Sequence, residues 1–222
     1  MPKLARSILS AQLLLPNNSA LMQIASEEQL RELYEQPKER ALLKQLDHLD
    51  RHAKKFITLS PFLVLSSVGS SGKLDASPRG GVPGFVKVLN EKTLMIPDSK
   101  GNNRLDSLVN IIETGEVGTL FLIPGMDETM RVNGKAHLST SADHLALFET
   151  EKRPIVSCIV VEVDEMFLHC AKALMRSRLW AEESKIDRSK MPAMGEMLKE
   201  QMGHDDVSET QENMLKRYKE DV

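Results

Sequence analysis

The sequence predicts a mainly β chain with helical additions, an α+β fold, and three observations carry that prediction. Between residues 60 and 180, short apolar or β-branched runs alternate with close turns, the texture of a barrel or sandwich and not of βαβ units. Before residue 60, apolar residues fall at spacings of three and four, the helical period. After residue 180 that period returns in a segment whose commonest apolar residue is Met. The chain is therefore expected to divide into a helical extension over residues 1–59, a β domain over 60–180 and a helical tail over 181–222.

Taken in order, Ser26 with Gln29 three residues on has the form of a capping box, so a helix starts there. Pro37 interrupts it. A second helix is expected from that point, with Leu42, Leu46, Leu49, Ala53 and Phe56 on one face. Residues 62–65 read as a strand closed by the turn Gly69-Ser70-Ser71-Gly72. The run Asp75-Ala76-Ser77-Pro78-Arg79-Gly80-Gly81 reads as a strand ending in a turn, with Arg79 at its exit. Residues 85–89 and 93–96 flank Asn90-Glu91 as a second hairpin, and residues 117–123 and 130–138 form a third pair through Pro124-Gly125. Residues 155–163 are rich in β-branched side chains and predict a buried strand. Two short helices interrupt this β region. One spans residues 104–114, where Leu105, Leu108, Ile111 and Ile112 share a face, and the other lies near 142–148. In the tail, Met194, Met197, Leu198 and Met202, then Met214, Leu215 and Tyr218, mark two amphipathic helices too short to stand alone in water.

Composition bounds the function. A chain of 222 residues can bury one good core. A net charge of −3 and an aromatic content of 4% argue against a nucleic-acid partner, which needs a basic stripe or a stacking platform. Apolar runs such as residues 13–15 and 62–65 fall far short of the roughly 20 residues that cross a membrane. The apolar stretch of residues 1–15 is broken by Ser7, Ser10 and Gln12, so no signal peptide is expected. Two cysteines cannot build a disulfide framework, and the cytoplasm is the expected location.

Few residues carry recognisable chemistry. His48 and His52 have metal-ligand spacing on a predicted helix, but Leu49 stands where a zinc protease has Glu, and a solvated helix face is the expected reading. Cys158 and Cys170 lack zinc-site spacing, so no metal site is expected. Gly80, Gly81 and Gly84 match neither a dinucleotide fingerprint nor a P-loop. The segment from Ile96 to Ser107 stands out. A strand runs into a donor-rich loop and then into a helix whose first turn offers free N–H groups. Lys100, Arg104 and the amides of Asn102 and Asn103 gather there, as in a phosphate site, although the same residues fit a loop with an Asn helix cap and a solvated Arg. Residues 169–180 gather His169, Lys172, Arg176, Arg178 and the only Trp, Trp180. These cations repel one another unless an anion or a partner offsets them; the plainer reading is a basic surface segment anchored by Trp180.

Four stretches, in this order, resemble the pyridoxamine 5′-phosphate oxidase-like flavoproteins, and within them a bacterial subfamily. They are Ser77-Pro78-Arg79-Gly80, Gly101-Asn102-Asn103-Arg104-Leu105-Asp106-Ser107-Leu108, Arg131-Val132-Asn133-Gly134-Lys135-Ala136 and His169-Cys170-Ala171-Lys172-Ala173-Leu174. The resemblance implies an antiparallel, Greek-key-like split β-barrel that binds FMN at a homodimer interface. It implies that Arg79 and Arg104 hold the FMN phosphate, with Ser77, Asn102 and Ser107 in support. Asn103 stands where the authentic oxidase has a basic residue, and Lys100 would supply that charge. Pro97 and Asp98 would run beside the flavin ring, while Thr129 and Arg131 would approach flavin from the other subunit. The oxidase closes on its substrate with an Arg-x-His-x-Arg element. Arg176-Ser177-Arg178 stands at that place without the His, so oxidation of pyridoxamine phosphate is not implied. His169, Lys172, Arg176, Arg178 and Trp180 would instead line the flavin edge toward an unknown anionic or electron-rich substrate, with His169 the candidate acid or base. The implied activity is that of an FMN-dependent oxidoreductase acting on a small molecule, with NAD(P)H as a donor. The alternatives are a flavin-binding sensor or carrier without turnover and a deazaflavin-dependent reductase.

Overall fold

The computed structural model describes residues 23–203 and 209–219; the stretch considered for a signal peptide lies outside the described residues. The chain separates into two units, Met1–Glu39 and Arg40–Val222. In the first, helix α1 (Glu27–Leu33) starts where the capping box places it. The Ser26 side chain accepts from the Gln29 amide at 3.3 Å, and the Gln29 side chain accepts in return from the Ala25 amide at 2.8 Å.

Helix α2 (Glu39–Leu43) begins at the boundary, and the second unit continues through α3 (Arg51–Leu59), β1 (Phe62–Val68), β2 (Leu74–Gly80), β3 (Lys87–Val88), β4 (Thr93–Ser99), α4 (Asp106–Thr114), β5 (Glu116–Leu122), β6 (Thr129–Ser139), α5 (Ala142–Ala146), β7 (Ile155–His169), α6 (Lys172–Ser177), α7 (Met194–Met202) and α8 (Gln211–Lys219). The strands form one seven-stranded sheet in the order β2-β1-β5-β6-β7-β4-β3, with every pairing antiparallel. Sequential strands are displaced by the β4–α4–β5 crossing, which gives the Greek-key character. The sheet is rolled. Arg79 on β2 forms an ion pair with Asp98 on β4, although the two strands are five positions apart in the sheet order. A flat sheet would separate them by about 24 Å, so only a barrel-like closure lets them touch.

Alternation along the strands sends Leu63, Leu65, Leu94, Ile96, Phe121, Met130, Val132, Ile159 and Val161 into the barrel, all fully buried. Leu49, Ala53 and Ile57 plug one part of this core, and Leu108 and Ile111 of α4 cover another. Met95, Cys158 and Val160 point to the opposite face of β4 and β7, where Phe148 shields them. This second cluster explains why β4 is apolar on both faces.

The structure departs from the sequence reading at several places, helix α6 among them. The helix expected from Pro37 through Phe56 is broken between Leu43 and Arg51. Leu46 leaves the helical path to pair with Met166, through N–H···O bonds of 2.9 and 2.7 Å, and Asp50 restarts the helix by accepting from the Ala53 amide at 2.7 Å. Leu42 is 58% exposed and shares no face with Leu49. His48 precedes α3 and lies against Asp47, so the two histidines do not share a helix. Strand β3 holds only two residues, because Phe85 and Val86 are buried in the core without pairing. Finally, β7 runs six residues past Val163, so His169 ends the strand and does not follow it. A register shift at Asn133/Gly134 lets the β6–β7 ladder continue past the acidic residues Asp164 and Glu165 that mask the strand in the sequence.

Candidate functional site

β2 is an edge strand, which is why Pro78, lacking an N–H, is tolerated within it. Facing it across the barrel seam are the end of β4, the loop that leaves it, and the start of α4. Two adjoining cavities open between these elements, a larger lobe of about 570 Å³ and a smaller one of about 290 Å³. Pro78, Arg79, Ser99 and Gly101 border both.

Arg79 is the hinge of the site. Its guanidinium pairs with Asp98, and the two side chains are only 22% and 7% exposed. Its Nε is buried and has no partner among the described residues. A buried N–H without an acceptor is costly, and the residue that carries it borders both lobes. The loop to α4 takes an unusual path. Asn103 and Leu105 both adopt left-handed backbone at φ 61°, which costs a non-glycine residue about 1–2 kcal/mol. Asn103 is therefore not the helix cap that the sequence suggests. Leu105 occupies the cap position with no side-chain bond to the first turn, and α4 begins at Asp106, two residues later than expected. The N–H groups of that first turn remain open toward the smaller lobe.

Arg104 reaches over the rim with 77% of its side chain exposed. Its Nε bonds Asp106 at 2.7 Å and its amide bonds the Asn102 side chain at 3.1 Å. Hydrogen bonding to Asp106 and that carboxylate's charge raise the guanidinium pKa further above its usual value. At the inner wall Ser77 of β2 meets Ser107 of α4. Both hydroxyls reach Oδ2 of Asp75, at 2.8 and 2.5 Å. Burial opposes ionisation of Asp75, but the hydroxyls of Ser107 and Ser77, the Ala76 amide and the Arg79 charge together hold its carboxyl below the usual range. The larger lobe mixes the apolar Val82, Phe85, Pro97 and Ile155 with the charged Lys100, Glu151, Lys152 and Arg153. Arg153 donates to the Lys100 carbonyl and so ties the loop to the start of β7.

The smaller lobe fits a phosphate group. An orphaned guanidinium N–H, a second Arg at the rim and an uncapped helix N-terminus converge from three elements. The two lobes together bring Ser77, Arg79, Pro97, Asp98, Lys100, Asn102, Asn103, Arg104 and Ser107 to one place, with Lys100 in the larger lobe and not beside Arg104. The remaining expected residues lie elsewhere. Thr129 pairs with His169 and Arg131 with Phe167 across β6 and β7. The Arg131 guanidinium and the Lys44 ammonium stand 5.1 and 5.2 Å from the Phe167 ring centre, and His169 packs 4.9 Å from the same ring. Burial, followed by the charges of Arg131 and Lys44, pushes the His169 imidazole below its ordinary value, and its Nε2 is buried with no partner among the described residues. Lys172 and Arg176 are exposed on α6, and Arg178, just beyond it, pairs with Glu183 at 3.1 Å. Trp180 donates its indole N–H to the Met126 carbonyl at 2.7 Å, the anchoring role that the plainer reading gives it. None of Thr129, Arg131, His169, Lys172, Arg176, Arg178 or Trp180 lines either lobe of its own chain.

Sequence reasoning missed Asp75, which holds both serines, and the Lys152–Arg153 wall. The charged triplet Glu151-Lys152-Arg153 just before a buried strand was the available signal for the latter.

Residues 49–170 match the family described as pyridoxamine 5′-phosphate oxidase. No curated protein matches the chain. Among solved structures, the chain is similar to HupZ of Group A Streptococcus, at 14% identity over 54% of this chain and 92% of that one, with a TM-score of 0.46. It is also similar to an FMN-binding protein from Syntrophomonas wolfei, at 14% identity over 65% and 93% of the two chains, with a TM-score of 0.43. A third similarity is to the FAD binding protein of Mycobacterium smegmatis, at 11% identity over 56% and 97%, with a TM-score of 0.40.

Proposed function

This chain belongs to the pyridoxamine 5′-phosphate oxidase family, and we propose that it is an FMN-dependent oxidoreductase of a small molecule, acting as a homodimer in the cytoplasm. The observation that carries the reading is the smaller lobe, where the unpartnered Arg79 Nε, Ser77, Ser107, Arg104 and the open first turn of α4 surround one cavity beside a larger one. Arg79 and Arg104 would hold the phosphate, and Arg104 would exchange Asp106 for it. Asp98 keeps Arg79 aligned from beneath. The larger lobe, apolar on Val82, Phe85 and Pro97 and cationic on Lys100, Lys152 and Arg153, suits a flat ring with polar edges. When bound, FMN supplies the redox chemistry, and the protein supplies position and charge.

The homodimer gives the second group of residues a task. Among the described residues, Lys44, Arg131, Lys172 and Arg176 form no ion pair, and the His169 Nε2 lacks a partner. In a twofold assembly they would face the flavin of the partner subunit, with Thr129 behind them and Arg178 and Trp180 fixing the segment. His169, its proton affinity lowered by burial and by the charges of Arg131 and Lys44, would exchange a proton with a substrate. Among the described residues no helix is long and apolar enough to cross a membrane.

The test is the colour and content of the purified protein. It should absorb in the flavin range and release FMN on denaturation, and the apoprotein should prefer FMN over FAD and F420. Consumption of NAD(P)H with an acceptor then separates an enzyme from a flavin sensor or carrier. A colourless protein that takes up none of the three overturns the proposal, and a preference for F420 reassigns the cofactor.

A further inference from the structure

We propose that Asp75 makes anion binding in the smaller lobe proton-linked, because its carboxylate turns inward the two serine hydroxyls that a phosphate would use. The inference rests on the phosphate reading of that lobe and extends it to a residue that lines neither cavity.

The geometry leaves little choice of proton positions. Asp75 Oδ2 lies 2.8 Å from Ser77 Oγ and 2.5 Å from Ser107 Oγ. An ionised carboxylate only accepts, and each hydroxyl has one proton to give. Both protons therefore lie on the Asp75 side, and the 3.0 Å contact between the two hydroxyl oxygens carries none. The hydroxyls that line the smaller lobe thus present lone pairs to it. A phosphate dianion also offers only acceptors. Binding must either turn the serine protons toward the phosphate, which strips Asp75 of its side-chain donors beside a new anion, or protonate Asp75. Both routes raise the proton affinity of Asp75 when the ligand is bound.

The Ala76 amide and the Arg79 charge favour the carboxylate, but neither replaces the two hydroxyl donors. On β2 the nearest cation is Arg79, already engaged by Asp98 of β4. Across the gap Arg104 is engaged by Asp106 of α4. The cross-strand partner on β1 is Ser67, an uncharged residue whose hydroxyl accepts from Asn110 of α4 at 3.0 Å. The proton balance is simple: in the window between the free and bound titrations of Asp75, one proton is taken from solvent for each anion bound. Affinity is lowest above the bound-state titration and rises as pH falls through it. Asp75 is a positioning residue acting through Ser77 and Ser107.

The experiment is calorimetric titration of the apoprotein with FMN from about pH 3.5 to about pH 8, a range that reaches the acid side where a carboxyl held below its usual range titrates, in two buffers of different ionisation heat, for the native chain, Asp75→Asn and Ser107→Ala. An asparagine in place of Asp75 can donate to one serine and accept from the other, which frees one hydroxyl proton for the phosphate. Asp75→Asn should therefore bind FMN roughly tenfold more tightly at neutral pH, the factor equal to one pH unit. It should also take up fewer protons than the native chain on the acid side. The titration of FMN itself is common to both proteins and cancels in their ratio. Ser107→Ala should change affinity at neutral pH by less than about threefold, because a proton given to phosphate is one taken from Asp75. Equal affinity and equal proton uptake in the native chain and Asp75→Asn overturn the role of Asp75 and leave the flavin reading standing. Should Asp75→Asn fail to fold, a loss of tenfold or more in Ser107→Ala overturns it instead. No FMN binding by the native chain overturns the flavin reading, and this inference with it.

Discussion

Asp98→Ala should unfold the barrel at its seam. Asp98 is one half of the pair that joins β2 to β4, and its removal leaves the Arg79 guanidinium without its carboxylate in a largely buried place. Breaking a buried pair from one side costs about 3–5 kcal/mol, because the surviving charge is uncompensated. The carboxylate is 7% exposed but the guanidinium is 22% exposed, so water can reach the remaining charge. The lower end of that range, about 3 kcal/mol, is therefore expected. For a unit of this size it corresponds to a fall of roughly 6–12 °C in Tm. Urea denaturation of the apoprotein, followed by far-ultraviolet circular dichroism, measures it directly. Arg79→Met in the Asp98→Ala background should restore most of the loss, since no charge then remains buried. A single-variant loss under about 1 kcal/mol, or a double variant as unstable as Asp98→Ala, would refute the claim that this pair closes the sheet.

Three further outcomes follow from individual residues. Gly134→Ala should cost about 3 kcal/mol or more, at the upper end of overpacking penalties, because its Cβ would sit 1.9 Å from the Glu162 carbonyl oxygen at the β6–β7 register shift; a chemical denaturation midpoint equal to the native one would contradict it. Arg104→Ala should leave apoprotein stability within about 0.5 kcal/mol, since the side chain is exposed, yet weaken FMN binding by roughly tenfold or more; equal affinity in a fluorescence titration would remove Arg104 from the phosphate site. Asp47 should titrate at about 2 in a carboxyl NMR experiment, held down by hydrogen bonds from Lys92 and His48 and by the Lys92 charge. Its folded value is depressed, so its contribution to stability is complete above the model-compound value of 3.8 and disappears as pH falls through about 2. Lys92→Ala should move that midpoint back up, and a midpoint already near 3.8 in the native chain would exclude the bond.

Much of the fold was legible because it is written locally. The turn at residues 69–72, strands β1 and β6 and the existence of α4 each follow from neighbours within a few positions, but of the four residues expected on one face of α4 only Leu108 and Ile111 are buried, while Leu105 precedes the helix and Ile112 is exposed. The errors fall where distant pairing overrides local period. Leu46 has helical spacing to Leu42 and Leu49, but its backbone satisfies itself on Met166. The last six residues of β7 lack a β-branched run, yet they pair because β6 continues beside them. In the site, Arg104 and Ser107 were visible as a loop entering a helix, whereas Asp75 was not. Its meaning depends on Ser107, 32 residues away, and no local pattern records that meeting.

By itself the sequence determined that the chain would be a barrel or sandwich of short strands with helical ends, and it placed the donor-rich loop before α4, since period, turn chemistry and side-chain type act over a few residues. Only the tertiary structure decided which groups share the site. Rolling the sheet brings Arg79 to Asp98 and Asp75 to Ser107, and leaves His169, Arg131 and Arg176 away from both lobes of their own chain. The physical reason is that closure is set by the twist and summed burial of seven strands, a property that no single segment carries.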